Sequence, residues 1–166
     1  MTAWQVQRRE DMAMITREVQ ISAGDAVLRG DLSMPLHPRG AVLFAHGSGS
    51  SRTSPRNRTV ATTLNADGFA TLLFDLLTLD EEAIDRHTAH LRFDIGLLAG
   101  RLVVATDWLR DRSPLSRLPL GYFGASTGAA AALVAAAERP AVVAVVSRGG
   151  RPDLAGEALG RVRTPT

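Results

Sequence analysis

Five residues constrain this chain most: Gly124-Ala125-Ser126-Thr127-Gly128. They follow a short apolar run, Leu118 to Phe123, and precede a run of small helix formers, Ala129 to Glu138. The pattern G-x-S-x-G between a strand and a helix is the context of a nucleophile elbow, where a serine on a tight turn points its hydroxyl out beyond the sheet. Glycines flank the serine because a side chain there would collide with the neighbouring strand or helix. The five letters alone are weak, since all are common residues. Their context gives them weight, so the rest of the chain is read for what such a serine needs.

The 166 residues suffice for one domain with a sizeable core. The net charge of +2 is too small to argue for a nucleic-acid partner. All 19 basic residues are arginine, whose high pKa lifts the isoelectric point to 10.3 without creating a patch. An arginine-only, alanine-rich composition suggests a bacterial source. With no cysteine, disulfides, thiolate metal sites and a cysteine nucleophile are excluded. No apolar run approaches the roughly 20 residues of a membrane span, and the first 14 residues do not read as a secretory signal. A cytoplasmic protein with no membrane partner is the default expectation.

Residues 1–14 carry no period and read as a flexible leader, with 15–166 as a single domain. Ile15 to Ser22 and Ala26 to Met34 alternate apolar and polar residues around a turn at Ala23-Gly24-Asp25, which predicts an antiparallel hairpin at a sheet edge. Ala41 to Ala45 is continuously apolar, the mark of a strand buried on both faces, and ends in His46-Gly47-Ser48-Gly49-Ser50-Ser51. A helix is predicted from Pro55 to Ala66, and the next buried strand from Phe69 to Leu77. Thr78 to Ala89 reads as an acidic connection, and Leu91 to Arg110 as the most regular helix of the chain. Arg112 to Pro119 reads as a linker, and Ala141 to Ser147 as a last buried strand. A short helix from Asp153 to Leu159 would take Asp153 as its N-cap. Strands alternating with helices give an α/β class with a doubly wound, mostly parallel sheet. Ligands in such sheets bind beyond the C-terminal strand ends, where both 46–49 and 124–128 fall.

A serine hydroxyl needs a base to take its proton and donors to hold the oxyanion that forms. One donor would be the backbone N–H of Thr127; the other comes from the loop after the strand 41–45, for which the N–H of Ser48 is favoured. His46, Gly47 and Gly49 would then line the substrate side, the glycines letting the backbone come close. A nucleotide-binding reading is poor, because no G-x-G-x-x-G follows the first buried strand and the chain has no lysine for a P-loop.

The pair HGSGSS and GASTG, in this order of elements, resembles the α/β-hydrolase fold. FDLLTLDEE, HLRFDIGLLAGRLVVATDWL and SRGGRPDLAG resemble the dienelactone hydrolase family in particular. The resemblance runs from about residue 15 to the end. It implies a hydrolase acting on an ester, lactone or related acyl bond, without cofactor or metal, with Ser126 as nucleophile. Some members carry cysteine there. In the family the triad runs serine, acid, histidine, the histidine lying near the C-terminus. All four histidines of this chain, at 37, 46, 87 and 90, precede Ser126. The chain therefore resembles a hydrolase cut short by two strand–helix units. His46 in the family shapes the oxyanion loop, and Asp153 stands either as an N-cap or as the triad acid. Asp75 and Asp94 read as loop anchors, Asp80 to Glu82 as a solvated acidic stretch, and Arg52, Arg56 and Arg58 as a solvated face or an anion contact. Two expectations follow: a serine hydrolase weak or silent on its own, or a non-catalytic chain that binds a second copy or a complementing chain through the apolar edge 141–147.

Overall fold

The computed structural model describes residues 14–112 and 114–166; the expected leader lies outside them except for Met14, which opens the first strand. Six strands form one sheet in the order β1-β2-β4-β3-β5-β6. They are β1 (Met14–Ala23), β2 (Ala26–Pro35), β3 (Gly40–Ala45), β4 (Phe69–Phe74), β5 (Leu120–Ala125) and β6 (Val142–Arg148). The last four run parallel, and β1 and β2 form the antiparallel hairpin at one edge. Its alternation places Ile21 opposite Leu28, both fully buried.

The continuous apolar character of β3 follows from its place between β4 and β5. On one face, Phe44, Leu73 and Phe123 pack under α1 (Pro55–Ala66) through Ala61, with the Phe44 and Phe123 rings 5.0 Å apart. On the other, Leu43, Leu72 and Tyr122 meet α3 (Ile95–Arg110) and α4 (Thr127–Glu138). The alanines of α4 let it approach the sheet closely, and Ala129 to Ala132 are fully buried. Inside that layer the Tyr122 hydroxyl is 2.7 Å from Thr106 Oγ1, and burial pushes the phenol up to about 12. Tyr122 is thus a neutral core residue. Among the described residues no helix is long and apolar enough to cross a membrane.

Four sequence expectations change. The stretch 78–89 contains a helix, α2 (Leu79–Thr88), and is not a plain connection. Thr78 Oγ1 accepts from the Glu81 N–H at 3.2 Å while Glu81 Oε2 accepts from the Thr78 N–H at 2.8 Å. This reciprocal cap supplies about 1 kcal/mol of helix stability that apolar periodicity does not reveal. The long helix starts later, at Ile95, because Asp94 accepts from the Leu97 N–H and caps it; Leu91–Phe93 is a separate 3-10 turn. Strand β4 ends at Phe74, short of the expected Leu77, and the Asp75 carboxylate just beyond it binds Arg52. Asp153 lies inside a kinked 3-10 segment, Pro152–Arg161, and is not its N-cap: Arg151 holds the cap position and makes no side-chain cap bond.

Strand β6 closes the other edge of the sheet. Its inner face buries Val142 and Val145, whereas Val143 and Val146 are half exposed, at 52% and 50%. The C-terminal residues lie against its outer side: the Val145 N–H donates to Pro165 O at 2.9 Å, and Thr164 Oγ1 donates to Val142 O at 3.2 Å.

Candidate active site

Ser126 sits at φ 52° and ψ −121°, in a region L-residues avoid, between the end of β5 and the start of α4. Such a conformation costs of order 1–3 kcal/mol and persists only where the surroundings over-determine it. Here they do. A Cβ on Gly124 would stand 2.5 Å from Ala129 Cα, and one on Gly128 would stand 2.2 Å from Ala45 O. The helix start is therefore pressed onto the ends of β3 and β5 with room for hydrogen only. The Ser126 N–H donates to Arg148 O, and its carbonyl accepts from the Ala129 N–H. The serine is half buried, at the head of a twelve-residue helix whose first N–H groups carry partial positive charge.

The loop after β3 closes against this turn. A Cβ on Gly47 would lie 3.0 Å from Ala125 O and 3.1 Å from Ser126 Cβ, so the loop backbone passes beside the serine. The backbone N–H groups of Thr127 and Ser48 have no hydrogen-bond partner among the described residues. Both residues line a cavity of about 540 Å³.

His46 is 7% exposed, and both its ring nitrogens are engaged. Nε2 accepts from the Leu76 N–H at 3.0 Å, which puts the proton on Nδ1, 3.0 Å from Gly47 O. Burial holds its pKa below the usual 6.5, opposed by Gly47 O and Asp75. A neutral imidazole with no free lone pair braces the loops after β3 and β4 together. It also lines the cavity wall.

The remaining loop residues, Gly49 to Ser54, form a hydroxyl-rich wall that includes Ser50, Ser51, Thr53 and Ser54. Arg52 fixes it: its N–H and guanidinium both reach Asp75, at 2.8 and 2.5 Å. Arg58 pairs with Asp31 at 3.2 Å. Neither guanidinium points to an anion site at the serine, whereas Arg56 is exposed. The opposite wall comes from α2 and the turn after it. Asp85 is buried, accepts from the Leu91 and Arg92 N–H groups, and pairs with Arg92 at 2.6 Å, which holds its carboxyl below the usual carboxylate range despite burial. Glu82 faces the same cavity with its carboxyl pushed up, first by burial and then by Asp75. Leu77 and Leu98 supply apolar lining. Sequence reading missed this wall; the T-x-x-E cap at Thr78 and Glu81 is the signal that could have found it.

The structure lines one cavity with Thr127, His46, Gly47, Ser48 and Gly49, and Ser126, which is not among the lining residues, stands beside it against Gly47. It leaves Asp153 apart. That carboxylate is 58% exposed and chelated by Arg151, whose guanidinium holds its pKa below the ordinary value; no histidine bonds to it. His90 bonds only Thr88, and His37 and His87 are exposed. The arrangement can offer a carbonyl oxygen two backbone donors beside a serine hydroxyl. It offers that hydroxyl no imidazole acceptor from His46.

No family model matches the chain. A crystal structure described as a dienelactone hydrolase from Anabaena variabilis is 62% identical, with a TM-score of 0.88, over 92% of this chain and 71% of that one. A dienelactone hydrolase-like promiscuous phosphotriesterase from metagenomic libraries is 21% identical, with a TM-score of 0.69 over 92% of this chain and 66% of that one, and shares the fold. Proteins of two Mycobacterium tuberculosis strains, each named "Putative phosphoribosyl transferase", are 59% identical over 157 residues, 94% of this chain. The chain spans 34% of their length.

Proposed function

The chain belongs to the dienelactone hydrolase family, whose members have the α/β-hydrolase fold, and from that premise we propose that it is a serine hydrolase acting on an ester, lactone or related acyl bond. Ser126 Oγ attacks the carbonyl carbon and loses its proton to solvent water, the carbonyl π pair moves onto oxygen, and the Thr127 and Ser48 N–H groups hold that charge. Collapse of the adduct breaks the acyl C–O bond, the leaving oxygen takes a proton from solvent and departs as the alcohol, and water hydrolyses the acyl-serine to the acid and free serine. The observation that carries this reading is the strained backbone of Ser126, with Gly47 packed against it.

The serine proton is the weak point. His46 has no free nitrogen, and the other three histidines bond nothing at the elbow. A triad enzyme loses most of its rate without its base, while the oxyanion donors leave a residue of activity. The 166-residue chain on its own therefore turns over weakly. Labelling by a fluorophosphonate and hydrolysis of p-nitrophenyl acetate test this, with Ser126→Ala alongside. Slow labelling that vanishes in the alanine variant is expected. Equal labelling of both chains would remove Ser126 as nucleophile, and rapid serine-dependent turnover would refute the missing base.

A second reading, a non-catalytic chain that binds a second copy or a complementing chain along β6, is favoured by the half-exposed Val143 and Val146. Phosphoribosyl transfer is taken only from the name of the mycobacterial relatives, of which this chain spans 34%, and no residue of the elbow or the cavity argues for it here.

A further inference from the structure

Helix α3 carries a charge on its buried face. Arg101 stands among Leu98, Ala99, Leu102 and Ala105, and its side chain is 7% exposed. A charge in such a place is tolerated only with partners that replace its hydration. Arg101 has two. Glu81, in the first turn of α2, takes both ends of the guanidinium, with Nη1 2.7 Å from Oε2 and Nη2 2.5 Å from Oε1. The same Nη1 donates to the Leu76 carbonyl at 2.6 Å. The first bond holds α2; the second leads towards the serine.

Leu76 is fully buried, two residues past the end of β4, and is gripped from both sides. Arg101 holds its carbonyl, and its N–H donates to His46 Nε2 at 3.0 Å. Because that nitrogen accepts, the imidazole proton is on Nδ1, 3.0 Å from Gly47 O. Gly47 O and the Ser48 N–H belong to one planar trans peptide unit, so they point in opposite directions and fixing one fixes the other. The Ser48 N–H is one of the two donors assigned to the oxyanion. The Ser50 N–H, 3.1 Å from the same oxygen, is the second hold on that unit. Arg101 itself is not among the residues that line the cavity.

Resting on the reading of Ser126 as nucleophile, we propose that Arg101 is a positioning residue for the oxyanion: through Leu76 and His46 it sets the direction of the Ser48 N–H. It touches no reacting atom and transfers no proton. Without it the Leu76 segment is released on its carbonyl side, and the His46 ring that rests on that segment shifts the Gly47–Ser48 peptide. A donor aimed at developing charge acts on kcat more than on KM, so a misaimed one is read in kcat.

The test compares Arg101→Met, Arg101→Lys, Glu81→Gln and Arg110→Met with the parent by fluorophosphonate labelling, p-nitrophenyl acetate turnover and thermal unfolding, with rates taken well below the lowest Tm. Arg110 is the control: on the same helix, its guanidinium also grips carbonyls, Ser116 O and Leu118 O, away from the cavity. Both methionine variants should lower Tm. Only Arg101→Met should also lose about 10- to 100-fold in labelling rate and kcat, with KM within about threefold. Arg101→Lys, which keeps the charge on a single donor nitrogen, should fall between that variant and the parent. Glu81→Gln leaves Leu76 O its donor and should label close to the parental rate. Parental labelling by Arg101→Met overturns the proposal. So does an equal loss in Glu81→Gln, because the effect would then run through α2. Where Arg101→Met does not fold, Arg101→Lys decides: lower kcat with KM kept supports the proposal, and the parental rate overturns it. The nitrogen NMR resonances of the His46 ring and the Leu76 amide need no activity to be read. They should move in the Arg101 variants and stay in Arg110→Met; unmoved resonances overturn the relay. Equal labelling of the parent and Ser126→Ala would overturn the nucleophile reading and the proposal with it, and the resonances then show separately whether Arg101 holds His46.

Discussion

The elbow and the β6 edge lie one strand apart and are built on opposite terms. At the elbow, the end of β5, the start of α4 and the loop after β3 are packed until two glycines have no room for a methyl group. At the edge, β6 leaves two valines half exposed, and a chain terminus touches its outer side through few bonds. Precision is concentrated where the serine and the donors stand. The region where the family resemblance looks for an acid, beyond β6, holds Asp153, exposed and tied to Arg151, and the exposed Glu157. On the proposed reading of Ser126 as nucleophile, charge stabilisation is better served than proton removal.

The contrast is most open to attack at Gly128. Alanine there would press its Cβ onto two backbone oxygens, Ala45 O at 2.2 Å and His46 O at 2.4 Å, neither of which can swing aside. Overpacking of this kind costs about 3 kcal/mol or more, which lowers Tm by roughly 10 °C in a domain of this size. The control is Gly160→Ala, beyond the edge strand, where an added Cβ meets nothing within 4 Å; it should stay within about 0.5 kcal/mol. Similar losses at both positions, measured by denaturant unfolding, would show that the elbow is no tighter than the periphery.

These particulars also show what a sequence can reveal. The elbow, the hairpin and α1 were legible because each is a local pattern: G-x-S-x-G after an apolar run, two-residue alternation, and proline at a helix start. Helix α1, expected from about Pro55 to Ala66, spans Pro55–Ala66. Helix α2 was missed because it lacks an apolar stripe. Leu79 and Ile84 are exposed, and the helix is held by its cap, by Glu81 on Arg101 and by Asp85 on Arg92. The state of His46 was illegible for another reason. Its decisive bond, from the Leu76 N–H, spans 30 residues and exists only once β3 and β4 are side by side. Asp153 reads as a helix cap by type, but Arg151 two residues earlier captures its carboxylate first.

A smaller effect is expected at His46, the brace between the two loops. His46→Ala removes the acceptor of the buried Leu76 N–H and the donor to Gly47 O, at about 1–3 kcal/mol. The same brace carries a pH signature. Its folded pKa lies below 6.5, so as pH falls below 6.5 the unfolded chain binds a proton that the folded chain refuses. Its contribution is therefore complete above that pH and is lost as pH falls from 6.5 towards the folded pKa. The difference in unfolding free energy between the parent and His46→Gln should shrink over that window. A difference that stays constant from pH 8 to pH 5 would mean that the imidazole is not held neutral.

The smallest effect on stability belongs to the edge, and it separates the two functional readings. Val143→Lys and Val146→Lys change half-exposed positions on β6, so each should alter the unfolding free energy by no more than about 0.5 kcal/mol. A lysine on an edge strand disfavours pairing with another chain far more than it disturbs the strand itself. If the chain associates through β6, sedimentation or light scattering should show a concentration-dependent species that both substitutions abolish, with Tm nearly unmoved. If the parent is monomeric at every concentration, the valines are ordinary exposed apolar residues, and the edge loses its standing as a docking surface. The packing of the elbow does not depend on that outcome, because an added Cβ at Gly47, Gly124 or Gly128 would meet no residue of β6, and the bond of the Ser126 N–H to that strand goes to a backbone oxygen, Arg148 O, that neither substitution removes.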